Sequence, residues 1–319
     1  MDPMDLRQSD RSAEVDAPWP TALRAITWLA PGIPLAFFEV LCSALSRNLS
    51  MPIHLESRDR SSGPMHGDSD PFLEGQADIG FLCSPSYLYL ANKPAPSVQL
   101  VPAAFAFDLG REDAEPIYYS EVIVRRQHRA TSFDDLAGGV WGFNDECSLS
   151  GYFSALQQLE ESGNDADFFG RHVRTGSHFA SIRAVVNGDI DAAAIDSTVL
   201  SLHLRSHPDL SGQLRTLTSF GPFPIQPIVL RTGLAPSLAT QIAQALLHVH
   251  EEEPGFRALA RFGLLRLVSI TEQAYAEERR ALCSLSFPTL RTSSWPHSPS
   301  PRSISGGCCP TSAASAPRR

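Results

Sequence analysis

The sequence predicts an α/β fold, and three observations lead there. Short apolar runs that read as buried strands alternate with stretches of helical apolar spacing, no hairpin signal joins neighbouring strands, and the 319 residues are enough for two domains of ordinary size. Strands that alternate with helices imply parallel sheets. Such sheets bind ligands at the carboxyl ends of their strands, beside the helix starts.

Residues 1–21 are polar, acidic and carry prolines, the composition of a disordered lead-in. Ala25 to Leu29 reads as a short buried strand, and the Pro31-Gly32-Ile33-Pro34 segment opens a helix whose apolar face is Phe37, Phe38, Leu41 and Leu45. Ile53 to Leu55 is a second strand, and Arg58 to Asp70 is a loop. A short helix opened by Asp70-Pro71 and closed by Gly75 leads into a buried strand ending near Leu82. That strand delivers Ser84 to Tyr87 to a new helix start. Val98 to Phe107 reads as one long apolar strand, followed by Tyr118 to Val124.

Val140 to Phe143 is a buried strand, then comes a polar turn, and Ser148-Leu149-Ser150-Gly151 opens a helix with Tyr152, Phe153, Leu156 and Leu159 on its apolar positions. Gly176-Ser177-His178 opens the next helix, Gly188 ends it, and Ile190 to Ile195 is a strand with Asp196 at its carboxyl end. Leu214 to Leu217 and Pro227 to Leu230 flank a loop at Gly221-Pro222-Phe223-Pro224, and a helix runs from Ser237 to His250. The ordered part is expected to end near Arg279. Residues 284–319 are Ser/Pro-rich without periodic apolar pattern, a disordered tail.

The Ser148 to Gly151 segment carries the chemistry. The first N–H groups of a helix have no partner within it and sit at the positive end of its dipole, so such a start holds an anion without Lys or Arg. Ser148 and Ser150 add hydroxyl donors, and Gly151 lets a ligand approach the backbone. The competing role is plain: one of these serines serves only as an N-cap.

Composition narrows the classes. A 43% hydrophobic, 19% charged chain of net charge −9 is a soluble globular protein type that argues against general nucleic-acid binding. The six cysteines show neither metal-ligand spacing nor a disulfide framework, and no metal or cofactor is expected. Leu23 to Leu45 is apolar, but Pro31, Gly32, Pro34, Arg24 and Glu39 interrupt it, so no membrane span is expected. The acidic N-terminus does not read as a secretory signal peptide.

In their order and spacing, Gly75 to Tyr87, Ser148-Leu149-Ser150-Gly151, Gly176-Ser177-His178 and Ala184 to Asp191 resemble the phosphate/phosphite/phosphonate substrate-binding proteins of ABC transporters. The resemblance spans roughly residues 22 to 275 and implies a type II periplasmic-binding-protein fold, two α/β lobes joined by crossing strands with the ligand between them. Lobe one would be 22–113 with 222–283, and lobe two 114–221. It implies a solute-binding protein for a phosphonate, phosphate or related oxyanion, a monomer with an ABC permease as partner. The family is periplasmic; the N-terminal pattern leaves a cytoplasmic location open.

The ligand would be held by Ser148, Ser150, the N–H groups of Gly151 and Tyr152, Ser177 and His178, with Ser84 or Tyr87 across the cleft and Asp196 for an amino group on the organic part. Asp196 has the ordinary alternative of a helix cap, and Tyr87 that of a core aromatic. Rival readings are a cytosolic ligand sensor, or an enzyme in which Ser150, His178 and Asp196 form a hydrolase triad, though no Gly-x-Ser-x-Gly elbow is present.

Overall fold

β1 (Leu23–Thr27) starts the chain's first βαβ turn in the computed structural model, which describes residues 18–30, 32–58, 62–110, 115–251, 253, 255–284 and 292–294. α1 (Leu35–Leu49) buries Phe37, Phe38, Leu41 and Leu45, the face its spacing predicts, and returns the chain to β2 (Ile53–Ser57), parallel to β1. The stretch Pro71 to Gly75 is a series of turns rather than a helix. Asp70 Oδ1 accepts the Phe72 and Leu73 N–H groups there, and Gly75 takes a left-handed φ of 66°. β3 (Ile79–Phe81) follows, parallel to β1, then α2 (Ser84–Ala91) and β4 (Val98–Leu100).

The expected long strand from Val98 to Phe107 is two strands in two sheets. Val101 N–H still pairs with the Ile228 carbonyl, but Pro102 has no N–H to continue the ladder, and β5 (Ala104–Phe107) turns away. β6 (Ile117–Arg125) then enters a second sheet. There β7 (Val140–Phe143), α3 (Ser154–Glu161), β8 (Arg171–Arg174), α4 (His178–Asn187), β9 (Ala192–Asp196) and α5 (Ser197–Ser206) follow in alternation. β10 (Leu214–Pro224) runs back along β6. Gly221 to Pro224, expected as a loop, belongs to β10, with an irregularity between Phe220 and Phe223. The tolerance has a simple cause: β10 is an edge strand, where a proline removes no needed ladder bond.

β11 (Ile228–Arg231) re-enters the first sheet, and α6 (Pro236–His248), α7 (Gly255–Ala260) and β12 (Leu264–Val268) complete that side, β12 pairing with β5. α8 (Ala276–Ser284) runs a turn past the expected end at Arg279. β13 (Thr292–Ser294) pairs in parallel with β8, a strand in the stretch read as tail; the rest of that stretch, the lead-in up to Ala17 and Pro31 lie outside the described residues.

The main sheets run in the orders β2-β1-β3-β11-β4 and β10-β6-β9-β7-β8-β13. They are mixed, not wholly parallel as the alternation suggested. β6 leaves the first half and β10 returns to it, so they are antiparallel to each other; β6 is also antiparallel to β9, and β11 to β3 and β4. The parallel core of the second sheet, β9-β7-β8, keeps three carboxyl ends on one edge. In the first sheet the buried Asp78 carboxylate takes Arg24 of β1 and Arg231 of β11, both at 3.1–3.2 Å, on its two oxygens. An unpaired carboxylate there would cost several kcal/mol, so this double pairing locks the register at the sheet centre.

Candidate functional site

Each strand of the parallel β9-β7-β8 core ends in a helix start whose first N–H groups are capped by a side chain. After β7, Ser148 Oγ accepts the Gly151 N–H at 3.1 Å; after β8, Ser177 Oγ accepts the Ala180 N–H at 3.1 Å; at the end of β9, Asp196 Oδ1 accepts the Thr198 and Val199 N–H groups at 2.8 and 3.3 Å. The three caps converge on a cavity of about 40 Å³. One water needs roughly 10–15 Å³ on that scale, so the space suits a small ion or a few waters.

From this lobe the wall is Ser148, Ser150, Ser177, His178, Asp196 and Val199. The facing lobe supplies Leu29, Gly32, Ile33 and Cys83, and Gln226 comes from the segment that crosses between β10 and β11. Among the described residues no Lys or Arg lines the cavity.

Ser150 Oγ and His178 Nε2 lie 3.2 Å apart. Burial pulls the His178 pKa down to about 4, so the ring is neutral near pH 7. The Ser150 hydroxyl and a neutral imidazole own one donor hydrogen each, and their mutual bond uses only one. In one tautomer the spare donor is the Ser150 O–H; in the other it is His178 Nδ1, which is buried with no hydrogen-bond partner among the described residues. Either way, the pair keeps one donor that their mutual bond does not use.

The backbone beneath is braced: the Ser150 carbonyl accepts from the Ser120 and Ser154 hydroxyls, each at 2.7 Å. Asp196 Oδ2 accepts from Gln226 Nε2, which ties the crossing segment to the cap of α5. Burial raises the Asp196 carboxyl to about 6, with the N–H groups of Val199 and Thr198 and the Gln226 amide pulling the other way. The Cys83 thiol is pushed up to about 12 by burial and is neutral.

Of the residues singled out in the sequence, Ser148, Ser150, Ser177, His178 and Asp196 meet at the cavity. Four do not line it. The Gly151 N–H is taken by Ser148 Oγ and the Tyr152 N–H by the Ser148 carbonyl, in a single π-type turn over Leu149–Phe153. Tyr152 instead packs its ring on Phe143. Ser84 lies buried one residue past the cavity-lining Cys83, and Tyr87 is fully buried against Tyr275 at 5.4 Å, in its core role. Asp196 serves as the cap that was its alternative, with a further bond to Gln226. Cys83, Gln226 and the Leu29–Ile33 turn were not singled out. For Gln226 a signal existed: it is a polar residue between Ile225 and Pro227 where the chain crosses between sheets.

Two α/β lobes joined by crossing strands, with capped helix starts around a cavity between them, define a solute-binding protein. The family model of the ABC transporter phosphonate periplasmic substrate-binding protein matches residues 35–275, and the chain belongs to that family. Its fold is shared by the binding component of a phosphonate ABC transporter from Pseudomonas aeruginosa, at 15% identity, TM-score 0.69, over 82% of this chain and 85% of that one. PhnD1 from Prochlorococcus marinus, solved with methylphosphonate, is similar at 17% identity and TM-score 0.68 over 82% and 97%. A Xanthomonas citri protein solved with ATP matches at 15% identity and TM-score 0.62 over 82% and 96%. Membership gives the chain a small ligand and a transporter permease as partners in a periplasmic system. Among the described residues no helix is long and apolar enough to cross a membrane.

Proposed function

We propose that this chain captures a small phosphorus oxyanion, a phosphonate, phosphite or phosphate, in the cavity between its lobes and presents it to an ABC permease as a periplasmic monomer, without chemical turnover. The observation that carries the reading is the convergence of three capped helix starts and the Ser150–His178 pair on one cavity whose wall, among the described residues, holds no cationic side chain. Hydroxyls and a neutral imidazole recognise a delocalised anion through directed hydrogen bonds, and the positive ends of the helix dipoles favour its charge. Charge-assisted bonds of about 1.5–3 kcal/mol each make four or five sufficient for the ~8 kcal/mol of micromolar binding, with a surplus for lobe closure.

The enzyme reading has one favourable observation, the 3.2 Å Ser150–His178 contact with Asp196 in the same wall. A relay needs the carboxylate on the far ring nitrogen. His178 Nδ1 has no hydrogen-bond partner among the described residues, and Asp196 holds Thr198, Val199 and Gln226 instead. Calorimetric titration with phosphate, phosphite and methylphosphonate, with sulfate for comparison, tests the proposal. Micromolar binding of at least one phosphorus oxyanion is expected; no heat from any of them up to millimolar concentration, or hydrolysis of a model ester lost in Ser150→Ala, overturns it.

A further inference from the structure

The two halves of the cavity wall differ in chemistry. The second lobe brings the hydroxyls, the imidazole and the capping carboxylate, whereas the first brings Leu29, Gly32 and Ile33 with the neutral Cys83 thiol. Val199, from the first turn of α5, stands on the polar lobe but adds another apolar group.

Gly32 is the informative position. It does not lie at a positive φ, so its backbone does not demand glycine. The reason is space: a β-carbon there would lie 3.1 Å from Val199 Cγ2 of the opposite lobe and 3.2 Å from the Leu29 carbonyl oxygen. Both neighbours line the cavity, and Val199 is buried. A β-carbon there would require Val199 to give by a few tenths of an ångström, so the lobes approach closely at this edge of the ligand space, and a longer substituent would hold them apart.

The carboxylate in the wall does not compensate. Asp196 Oδ1 already takes two N–H groups and Oδ2 takes the Gln226 amide, so one acceptor site on Oδ2 is all that remains for a ligand ammonium, and a chain long enough to carry one must first fit past Gly32 and Val199.

Resting on the oxyanion reading above, we infer that the Gly32–Val199 contact is the specificity determinant of this site, confining the ligand to a phosphorus oxyanion whose remaining substituent is hydrogen or one small apolar group. Aminoalkyl and longer alkyl phosphonates are rejected. One methylene too many in such a pocket changes affinity by about tenfold or more.

Calorimetric titration of the full chain with phosphite, methylphosphonate, propylphosphonate and 2-aminoethylphosphonate separates the outcomes. Wild type should bind methylphosphonate at least about tenfold more tightly than either longer ligand. Val199→Ala should narrow the methyl-to-propyl ratio to about threefold or less, by removing the obstructing methyls. Gly32→Ala should act in the opposite sense, weakening methylphosphonate more than phosphite. It keeps the test decisive if Val199→Ala does not fold. Equal wild-type affinity for methyl-, propyl- and aminoethylphosphonate, or an unchanged ratio in Val199→Ala, overturns the inference while leaving the oxyanion site standing. If none of the four binds, the inference falls, and the oxyanion reading falls with it if phosphate gives no heat either.

Discussion

Ser148 and Ser150 stand two residues apart on one turn and do different work: Ser148 Oγ accepts the Gly151 N–H at 3.1 Å, while Ser150 Oγ meets His178 Nε2 at 3.2 Å across the helix starts. The division separates stability from binding. Ser148→Ala removes a cap and should cost about 1 kcal/mol of unfolding free energy. Ser150→Ala leaves that cap in place and should weaken phosphonate binding by about tenfold or more, since a bond to an anion is lost. Denaturant titration of both variants beside calorimetry checks this, and comparable affinities for wild type and Ser150→Ala would remove Ser150 from the site.

Gly151 is required by its neighbour rather than by the ligand. A β-carbon at this position would fall 1.8 Å from Oδ1 of Asn144, which is buried at 1% exposure. Gly151→Ala should therefore destabilise the fold by about 1–3 kcal/mol through overpacking. The double change Gly151→Ala with Asn144→Ala should recover part of that loss in thermal melts. A single variant as stable as wild type would contradict the geometry.

His178 should contribute a constant amount to binding across neutral pH. Its folded pKa of about 4 lies below the ordinary value of 6.5, so the ring carries no charge above roughly pH 5 and no step in affinity near pH 6.5 should arise from it. The same depression means the unfolded chain binds its proton first, so stability from this group is lost as pH falls from 6.5 towards 4. Comparing wild type with His178→Gln by calorimetry and melting between pH 5 and 8 isolates both effects; an affinity difference that grows near pH 6.5 would show a cationic ring.

Glu278 of α8 is buried with neither carboxyl oxygen in a well-formed hydrogen bond, and burial pushes its pKa up to about 8, against a weaker pull from the Ser84 hydroxyl. The folded state holds the proton more tightly than the unfolded one. Stability contributed by the protonated form is complete below about pH 4.5 and is lost as pH rises through 8, by up to about 1.4 kcal/mol per pH unit. Glu278→Gln should match wild type near pH 4.5 and exceed it increasingly up to pH 8–9 in thermal melts. Parallel curves for the two proteins would show that the carboxyl is solvated.

What the sequence determined by itself was local: the apolar face of α1, the presence of α4 and α6, the glycine that ends α4, the serines that start helices after β7 and β8, and the ordered motifs of the family. These follow from capping chemistry and residue period, which act over a few neighbours. Only the tertiary structure decided that Pro102 sends β5 to another sheet, that β6 and β10 run antiparallel, and that Ser148 rather than Ser150 is the cap. It also decided that Tyr87 belongs to the core while Cys83, Gln226 and Gly32 face the cavity. The physical reason is distance along the chain. Gln226 reaches Asp196 across 30 residues, and Gly32 meets Val199 between lobes, so neither contact leaves a periodic or capping signal in the residues around it. A cavity wall assembled from both lobes comes into being only when the crossing strands bring them together.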